Sequence, residues 1–345
     1  MAESASLTAQ LAQVQALLRT TGTVGTQRWP ELTDALQDLV RSGTPAHPPW
    51  AAALQSRGKA LPTHQAAGRL LVHLGVWDGH DDLDLLASDL LAVWPEGAVE
   101  TVAEQPTLPS TVARLEIPLV SIDSVDPHEV DDAMWAERRG DDIVLWVAIA
   151  SPNCWLVPGG AVERLAVERA ATLYHPRYVA PMLPHGLGAL KASLAVGCER
   201  PAIVYELAID GEGMRRTLSI REALVQVSAA WTYDQVQAAM AADGPPPGSV
   251  VDLPLAALLK EAALRSEARR IRNGAWLLYR PDVEVIARRH QPVLLRTACQ
   301  SDMARRIVGE AMVLCGMATA DFFSERGLPA PYRVQPAPKE PPLPP

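Results

Sequence analysis

The segment Ile-Asp-Ser-Val-Asp-Pro-His-Glu-Val-Asp-Asp at residues 122–132 is the most informative stretch of this 345-residue chain. It follows an apolar run, residues 117–122, that is typical of a buried strand. Carboxylates packed this closely repel one another, and a bound hard cation such as Mg²⁺ relieves that repulsion. Taken alone, an Asp-rich run between strands is more often a solvated turn, so both interpretations stay open. The carboxylates in question are those of Asp123, Glu129, Asp131 and Asp132.

Short blocks around this segment follow one another at defined spacing. In order they are Ile122–Ser124, Asp131–Ala133, Val147–Pro152, Tyr174, Pro181–Pro184, Ser193–Leu194, Arg200–Pro201, Tyr233–Val236 and Ile307–Met312. Their order and spacing resemble the catalytic core of the ribonuclease II family, the RNB exoribonucleases. A single Asp-Asp pair would carry little weight. Ordered blocks across residues 115–335 favour the metal-binding interpretation of the acidic segment.

From residue 111 onward, strand-like and helix-like stretches are mixed, which indicates an α+β domain. The resemblance implies that residues 111–335 form a mixed RNB-type catalytic domain. Two hairpins are predicted, one from 131–137 and 142–150, the other from 202–210 and 214–221. Helices are predicted at 160–171, 232–241, 254–272 and 301–326, and a further strand at 282–287.

Residues 1–105 are predicted to form a small all-helical domain. Apolar side chains recur at helical spacing in stretches that begin near Leu7, Leu32, Leu70 and Leu83. The short helices suggest a helix-turn-helix or winged-helix module, with a plain helical bundle as the alternative. Acidic side chains outnumber basic ones in this region, so DNA binding is not expected of it. Family members usually begin with cold-shock barrels, and this chain departs from them here.

A second departure lies at the end of the sequence. Residues 336–345 are rich in proline, which is typical of a linker. Family members continue with a segment whose arginine contacts the scissile phosphate, and then with an RNA-binding barrel. The catalytic domain is therefore expected to be incomplete at its C-terminus and to belong to a longer chain.

Composition and charge bear on location and ligand. The sequence shows no secretion signal and no apolar run long enough to span a membrane, so no membrane association is expected. Its four cysteines lack metal-binding spacing and are expected to be unpaired thiols, which is typical of a protein of the reducing cytoplasm. A monomer is expected. The net charge of −9 argues against nucleic-acid binding, but residues 260–310 carry 11 basic and 6 acidic side chains. That basic stretch could line an RNA channel or balance acidic neighbours on a solvated helix face.

The resemblance implies that the acidic segment holds Mg²⁺, or alternatively Mn²⁺. Asp123, Glu129 and Asp132 would be ligands, and Asp131 would help to position the ion and the attacking water. Asp123, Asp131 and Asp132 would be the catalytic carboxylates. Glu129 replaces the family's usual Asp and adds one methylene, which the loop must absorb. Asp131 and Asp132 are adjacent, so in a strand they would point to opposite faces unless a turn or bulge intervenes.

Three tyrosines match family positions that bind RNA. Tyr174 and Tyr279 would stack on the 3′-terminal bases, and Tyr233 would lie near the scissile end. Stacking on aromatic rings tolerates any base, as a sequence-independent nuclease requires. For each tyrosine the alternative is ordinary core packing.

Glu310 also matches a family position. Its carboxylate would accept hydrogen bonds from ribose hydroxyls and so select RNA over DNA. The alternative is an ion pair with Arg305 or Arg306 on the same helix-like stretch.

The leading interpretation is a Mg²⁺-dependent 3′-to-5′ exoribonuclease that degrades single-stranded RNA processively to nucleoside 5′-monophosphates. The alternative is a catalytically impaired RNB-like RNA-binding protein, which Glu129 and the missing downstream arginine motivate. A DNA-binding regulator that uses the N-terminal helices is a weaker third reading.

Overall fold

The structure is a computed structural model. It describes residues 30–42, 64–77, 112–176, 178–241, 246–277, 281–286, 293–299 and 302–332, together with positions 9–10, 12–13, 94, 107–108 and 334. The chain divides into two compact units. One contains residues 1–95, 172–180 and 287–292, and the other contains residues 96–171, 181–286 and 293–345.

Helices and strands are both well represented, which confirms the α+β class. The helices are α1 (Pro30–Ser42), α2 (His64–His73), α3 (Ala161–Arg169), α4 (Tyr233–Ala239), α5 (Leu253–Arg272) and α6 (Met303–Glu325). The strands are β1 (Ala113–Arg114), β2 (Leu119–Asp123), β3 (Asp132–Arg139), β4 (Asp142–Ala150), β5 (Leu173–His175), β6 (Tyr178–Ala180), β7 (Glu199–Ile209), β8 (Arg215–Thr232), β9 (Pro281–Ile286) and β10 (Leu294–Cys299). Short helical turns cover Pro152–Trp155 and His185–Leu187, and a π-helical turn covers Gly188–Ala192.

In the first unit, α1 and α2 pack against each other. Leu32, Leu36 and Leu39 recur at helical spacing along α1 and contact Leu71 and Leu74 in one buried cluster. Two of the predicted N-terminal helices are therefore confirmed. The stretches that begin near Leu7 and Leu83 lie almost entirely outside the described residues, as does the proline-rich segment 336–345. The β5–β6 hairpin is also assigned to this unit.

The second unit is organised by a sheet whose strand pairings close on themselves. Strands β2, β3, β4 and β7 follow one another in antiparallel pairs. The first part of β8 pairs with β7 antiparallel, and its last part pairs with β2 in parallel. The ring β2–β3–β4–β7–β8 is thus complete, and β1 adds to β8 where β8 passes from one partner to the other.

Both predicted hairpins are confirmed. The turn between β3 and β4 places Gly140 at φ 65°, a conformation that favours glycine. The second hairpin is longer than predicted, because β8 continues to Thr232 and not to 221. The continuation follows from alternation, since Ala223, Val225 and Val227 are buried and Gln226 and Ser228 between and beyond them are exposed.

Strand β4 is buried on both faces and separates two apolar clusters. Val144, Trp146 and Ala148 contribute to one cluster, which is formed by strand residues and the adjoining segments. The alternate residues face the other cluster, which α4, α5 and α6 complete. The helices therefore cover one face of the sheet.

Helix α6 is long and apolar enough to span a membrane by length and composition alone. Its residues Ala304, Ile307, Ala311 and Leu314 are buried in the cluster shared with α5 and the sheet. A core helix of a soluble protein has the same length and hydropathy.

Candidate active site

Parallel pairing between β2 and β8 creates the site. Asp123, the last residue of β2, is the register partner of Thr232, the last residue of β8. Helix α4 begins at the next residue, Tyr233, so Asp123 and Tyr233 lie at the same edge of the sheet. A capping box fixes this start, because Thr232 Oγ1 accepts from the backbone N–H of Gln235 and the Gln235 side chain accepts from that of Thr232.

Three carboxylates, those of Asp123, Asp131 and Asp132, lie near this edge. Burial, with added repulsion from Asp123 and Asp131, raises the pKa of Asp132 to about 6. Burial and then Asp123 also raise the pKa of Asp131. Strand β3 begins at Asp132, and the carbonyl of the exposed Asp131 accepts from the backbone N–H of Ala150 at 2.8 Å. The two neighbours therefore differ in exposure, as expected for adjacent residues at the start of a strand, yet both experience the charge of Asp123.

Glu129 lies in a pocket formed by the segment that follows Pro184. Burial and then Asp131 raise the pKa of its carboxyl, against an opposing effect of His185 and His128. Its Oε1 packs so closely on Gly188 that a Cβ at that position would overlap it. The room for the longer side chain thus comes from a glycine.

The loop that carries Glu129 is held in place from the same side. The backbone N–H of Val130 donates to Ser193 Oγ at 2.9 Å, and the carbonyl of Val130 accepts from Leu194 N–H at 2.9 Å. These two hydrogen bonds fix the backbone of Val130, the residue that joins Glu129 to Asp131. The position of both carboxylates therefore depends on the Ser193–Leu194 block.

The acidic group has the chemistry of a metal site but not its geometry. Among the residues that the structure describes, no three His, Cys, Asp or Glu side chains form a group that could hold one. Asp123 and Asp131 raise the pKa of Asp132, and Asp131 raises that of Glu129, but the four carboxylates do not converge on one point. Their chemistry nevertheless fits a hard cation, because Asp132 Oδ2 is buried without a hydrogen-bond partner beside the charges of Asp123 and Asp131.

A cleft of about 210 Å³ opens beside Asp123. Tyr233 forms part of its wall, and the guanidinium of Arg305 stacks over the tyrosine ring at 4.3 Å from the centroid. Burial, Asp123 and Asp132 raise the pKa of Tyr233, while Arg305 opposes them. The cleft is lined by Asp123, Ser124, Val125, Thr232, Tyr233, Asp234, Arg296, Thr297, Asp302 and Arg305.

The remaining predicted residues are two tyrosines and Glu310. Tyr174 lies on β5 in the first unit, where it is 62% exposed and so does not pack in a core. Tyr279 lies outside the described residues.

Glu310 is buried between α5 and α6. Its Oε2 accepts from Ser266 Oγ at 2.9 Å, and its Oε1 pairs with Arg270. Its carboxylate is therefore engaged inside the helix pair, and the predicted hydrogen bonds to ribose are not supported. Glu310 does form an ion pair, as the alternative predicted, but its partner is Arg270. The expected partners were wrong, because Arg306 pairs with Glu267 and Arg305 pairs with neither glutamate.

Sequence reasoning missed the site roles of two residues, Arg305 and Gly188. Arg305 was expected only as part of the basic stretch or as a partner of Glu310. Adjacent arginines on a helix point in directions about 100° apart, which is a signal that Arg305 and Arg306 have different surroundings. Nothing in the sequence marks Gly188 as the neighbour of Glu129, because the contact joins segments far apart in the chain.

Comparison with known proteins agrees with this architecture. The family described as the RNB domain matches residues 115–343, well over half of the chain. The chain belongs to the RNB family. Exoribonuclease 2 of Cronobacter sakazakii is 31% identical over 235 residues, which cover 67% of this chain and 36% of that protein. Ribonuclease II, chloroplastic/mitochondrial, of Arabidopsis thaliana is 27% identical over 285 residues, covering 79% of this chain and 35% of that protein.

Solved structures share the fold. An active-site mutant of the Dss1 exoribonuclease from Candida glabrata superposes with a TM-score of 0.72 at 20% identity, over 94% of this chain and 44% of that one. RNase R of Mycoplasma genitalium in complex with ribose-methylated single-stranded RNA gives a TM-score of 0.61 at 19% identity, over 78% of this chain and 41% of that one. The chain thus spans less than half the length of these RNB relatives.

Proposed function

We propose that this RNB protein is a 3′-to-5′ exoribonuclease that hydrolyses single-stranded RNA processively to nucleoside 5′-monophosphates with Mg²⁺ or Mn²⁺. The observation that carries the proposal is the buried, unpartnered Oδ2 of Asp132 beside Asp123 and Asp131, at the cleft where Tyr233 begins α4. As part of the same proposal, the protein acts as a monomer in the cytoplasm.

Each residue of the group has a distinct task. Asp123, Glu129 and Asp132 would hold the cation, and Asp131, the most exposed of the acidic group, would help to position it and the attacking water. A bound divalent cation would neutralise charge that develops on the phosphate oxygens and lower the pKa of a water molecule. Tyr233 would position the terminal nucleotide against the wall of the cleft, since its ring faces the space beside Asp123.

The direct test uses the full-length protein and a single-stranded RNA labelled at its 5′ end. In Mg²⁺ the full-length RNA should be converted to short 5′-labelled end products without accumulation of intermediates. EDTA or a modified 3′ terminus should block this conversion. Equal cleavage of a circular RNA would contradict an exonuclease.

Asp131→Asn separates chemistry from binding. The substitution keeps the shape of the side chain but removes a charge used at the transition state, so single-turnover cleavage should be abolished while RNA affinity is unchanged or tighter. Asp126→Asn is the matched control, because Asp126 is exposed in the same segment. Loss of binding together with rate would make Asp131 a structural residue.

One observation favours a second candidate, a catalytically impaired RNA-binding protein. The described carboxylates do not converge on one point. This candidate predicts tight binding of single-stranded RNA with no mononucleotide product at any concentration of Mg²⁺ or Mn²⁺. Product formation by the wild type that EDTA abolishes would exclude it.

A further inference from the structure

Two adjacent arginines at the start of α6 have different surroundings. Arg306 makes two contacts to Glu267, with its Nε donating to Oε2 at 3.0 Å and its Nη2 pairing with Oε1. Arg305 makes no ion pair within the part of the chain that the structure describes, and its described contact is the ring of Tyr233. A half-buried guanidinium without an anionic partner is costly, because it loses hydration without gaining a charge-assisted bond.

Arg305 forms part of the cleft wall. It lines the cleft beside Asp123, together with the carboxylates of Asp234 and Asp302. The second arginine of the cleft, Arg296, already makes an interaction of its own. Arg305 is thus a cation of this wall that has no described ion pair to give up when a ligand enters the cleft.

We propose that Arg305 binds a phosphate group of the RNA strand, at the phosphodiester next to the nucleotide that Tyr233 contacts. The proposal rests on the proposed function and adds to it a phosphate-binding residue in the N-terminal turn of α6. Stacking on Tyr233 fixes the plane of the guanidinium, so that its parallel N–H groups are presented to two phosphate oxygens at once.

This assignment explains how an acidic cleft can accept a polyanion. The carboxylates at one end repel phosphate unless a cation is bound, whereas Arg305 attracts phosphate in the cation-free protein as well. Because the guanidinium contacts backbone and not base edges, the contribution should be the same for every sequence. RNA should therefore bind in the presence of EDTA, and Arg305 should account for part of that affinity.

The test measures equilibrium binding of a single-stranded RNA to the full-length protein in EDTA, over a series of salt concentrations. Arg305→Gln should weaken binding about tenfold and reduce the slope of log K against log salt by about 0.7, the contribution of one phosphate contact on a single strand. Arg305→Lys should restore most of the slope but only part of the affinity, because lysine keeps the charge and loses the planar, bidentate geometry.

Arg326→Gln is the matched control. Arg326 follows the last turn of the same helix and also stacks on an aromatic ring, that of Phe322 at 3.8 Å, but it does not line the cleft. Arg326→Gln removes the same charge and the same kind of stacking contact, but outside the cleft. Wild-type affinity and slope are therefore expected of it. Equal effects of Arg305→Gln and Arg326→Gln would reduce the result to net charge and overturn the proposal.

The outcomes also separate this inference from the proposed function. If the wild type degrades RNA and Arg305→Gln binds with an unchanged slope, the phosphate contact is wrong and the exoribonuclease assignment stands. If Arg305→Gln reduces the slope as expected but the wild type forms no product, the phosphate contact stands and the nuclease assignment fails. If the wild type does not bind single-stranded RNA, both are wrong.

Discussion

At the scale of single residues, the contact between Glu129 and Gly188 shows how one methylene is accommodated. The longer side chain reaches the segment after Pro184, and it fits because position 188 has no Cβ. Proximity of His185 and His128 gives the carboxylate partial electrostatic compensation. A substitution in one segment is thus coupled to the size of a residue in another.

Gly188→Ala should displace the carboxylate of Glu129, which is the end of a flexible side chain and not backbone. The free energy of unfolding should therefore fall by less than about 1 kcal/mol, whereas the rate of RNA cleavage should fall because Glu129 no longer holds its place in the acidic group. Urea titration and single-turnover cleavage measure the two effects. Adding Glu129→Asp to the Gly188→Ala variant should restore most of the lost cleavage rate. The shorter side chain removes the carboxylate oxygen from the space that the new methyl group occupies.

Gly186→Ala provides the control for that experiment. Gly186 lies in the same short helical turn, and a Cβ there would meet nothing within 4 Å. Wild-type stability and cleavage are expected of it. Equal damage from both alanines would show that the segment tolerates no side chain for a reason other than Glu129.

Asp132 makes the stability of the cation-free protein depend on pH. Its pKa rises from 3.8 to about 6 on folding, so the folded protein holds this proton more tightly than the unfolded chain does. The associated stabilisation is present below pH 3.8 and is lost as the pH rises to about 6. In EDTA at pH 7.5, Asp132→Asn should therefore raise the free energy of unfolding, by up to about 3 kcal/mol.

The comparison that checks this is a pair of urea titrations at pH 7.5 and at pH 4, both in EDTA. The gain from Asp132→Asn should shrink at pH 4, where the wild-type carboxyl is already protonated in the folded state. A gain that is the same at both pH values would show that burial of charge is not its cause.

At the scale of elements, buried ion pairs hold α5 against α6. Glu267 and Glu310 are both buried, and each faces an arginine of the opposite helix, Arg306 and Arg270 respectively. Two arginines of the basic stretch that could have lined an RNA channel are used in this way. Their positive charges balance carboxylates within the fold, whereas Arg296 and Arg305 line the cleft.

Glu267→Gln tests the strength of this joint. The substitution keeps the shape of the side chain but leaves the charge of Arg306 without its partner, which should cost about 3 kcal/mol of unfolding free energy. Glu261→Gln is the control on the same helix, because Glu261 pairs with Arg138 and Arg265 at the surface. Exposed pairs contribute less than about 1 kcal/mol, so similar losses in urea titrations would contradict the distinction.

At the scale of the whole molecule, the sequence predicts local elements well and their long-range partners poorly. Both hairpins and the helices of the second unit follow from periodicity, since strand and helix place apolar residues on one face at different spacings. The α+β class and the acidic group at the end of β2 were recognisable for the same reason. The ring closure was not, because nothing within β8 specifies that its last residues pair with β2.

The same limit explains which site residues were found. Asp131 and Asp132 are neighbours in sequence, and their proximity needs no tertiary information. The partner of Glu310 lies on another helix, and Gly188 meets Glu129 across a gap of many residues, so local patterns could not reveal either contact. The resemblance supplied Tyr233, whose place beside Asp123 depends on the parallel pairing of β2 with β8.

That pairing also sets the order in which the site can form during synthesis. Asp123 leaves the ribosome well before β8 and α6 have been synthesised, and long-range strand pairing is slow to form. Until then the acidic segment lacks Tyr233 and Arg305. The site therefore assembles only after the chain has been synthesised beyond residue 305, and not when the acidic segment first emerges.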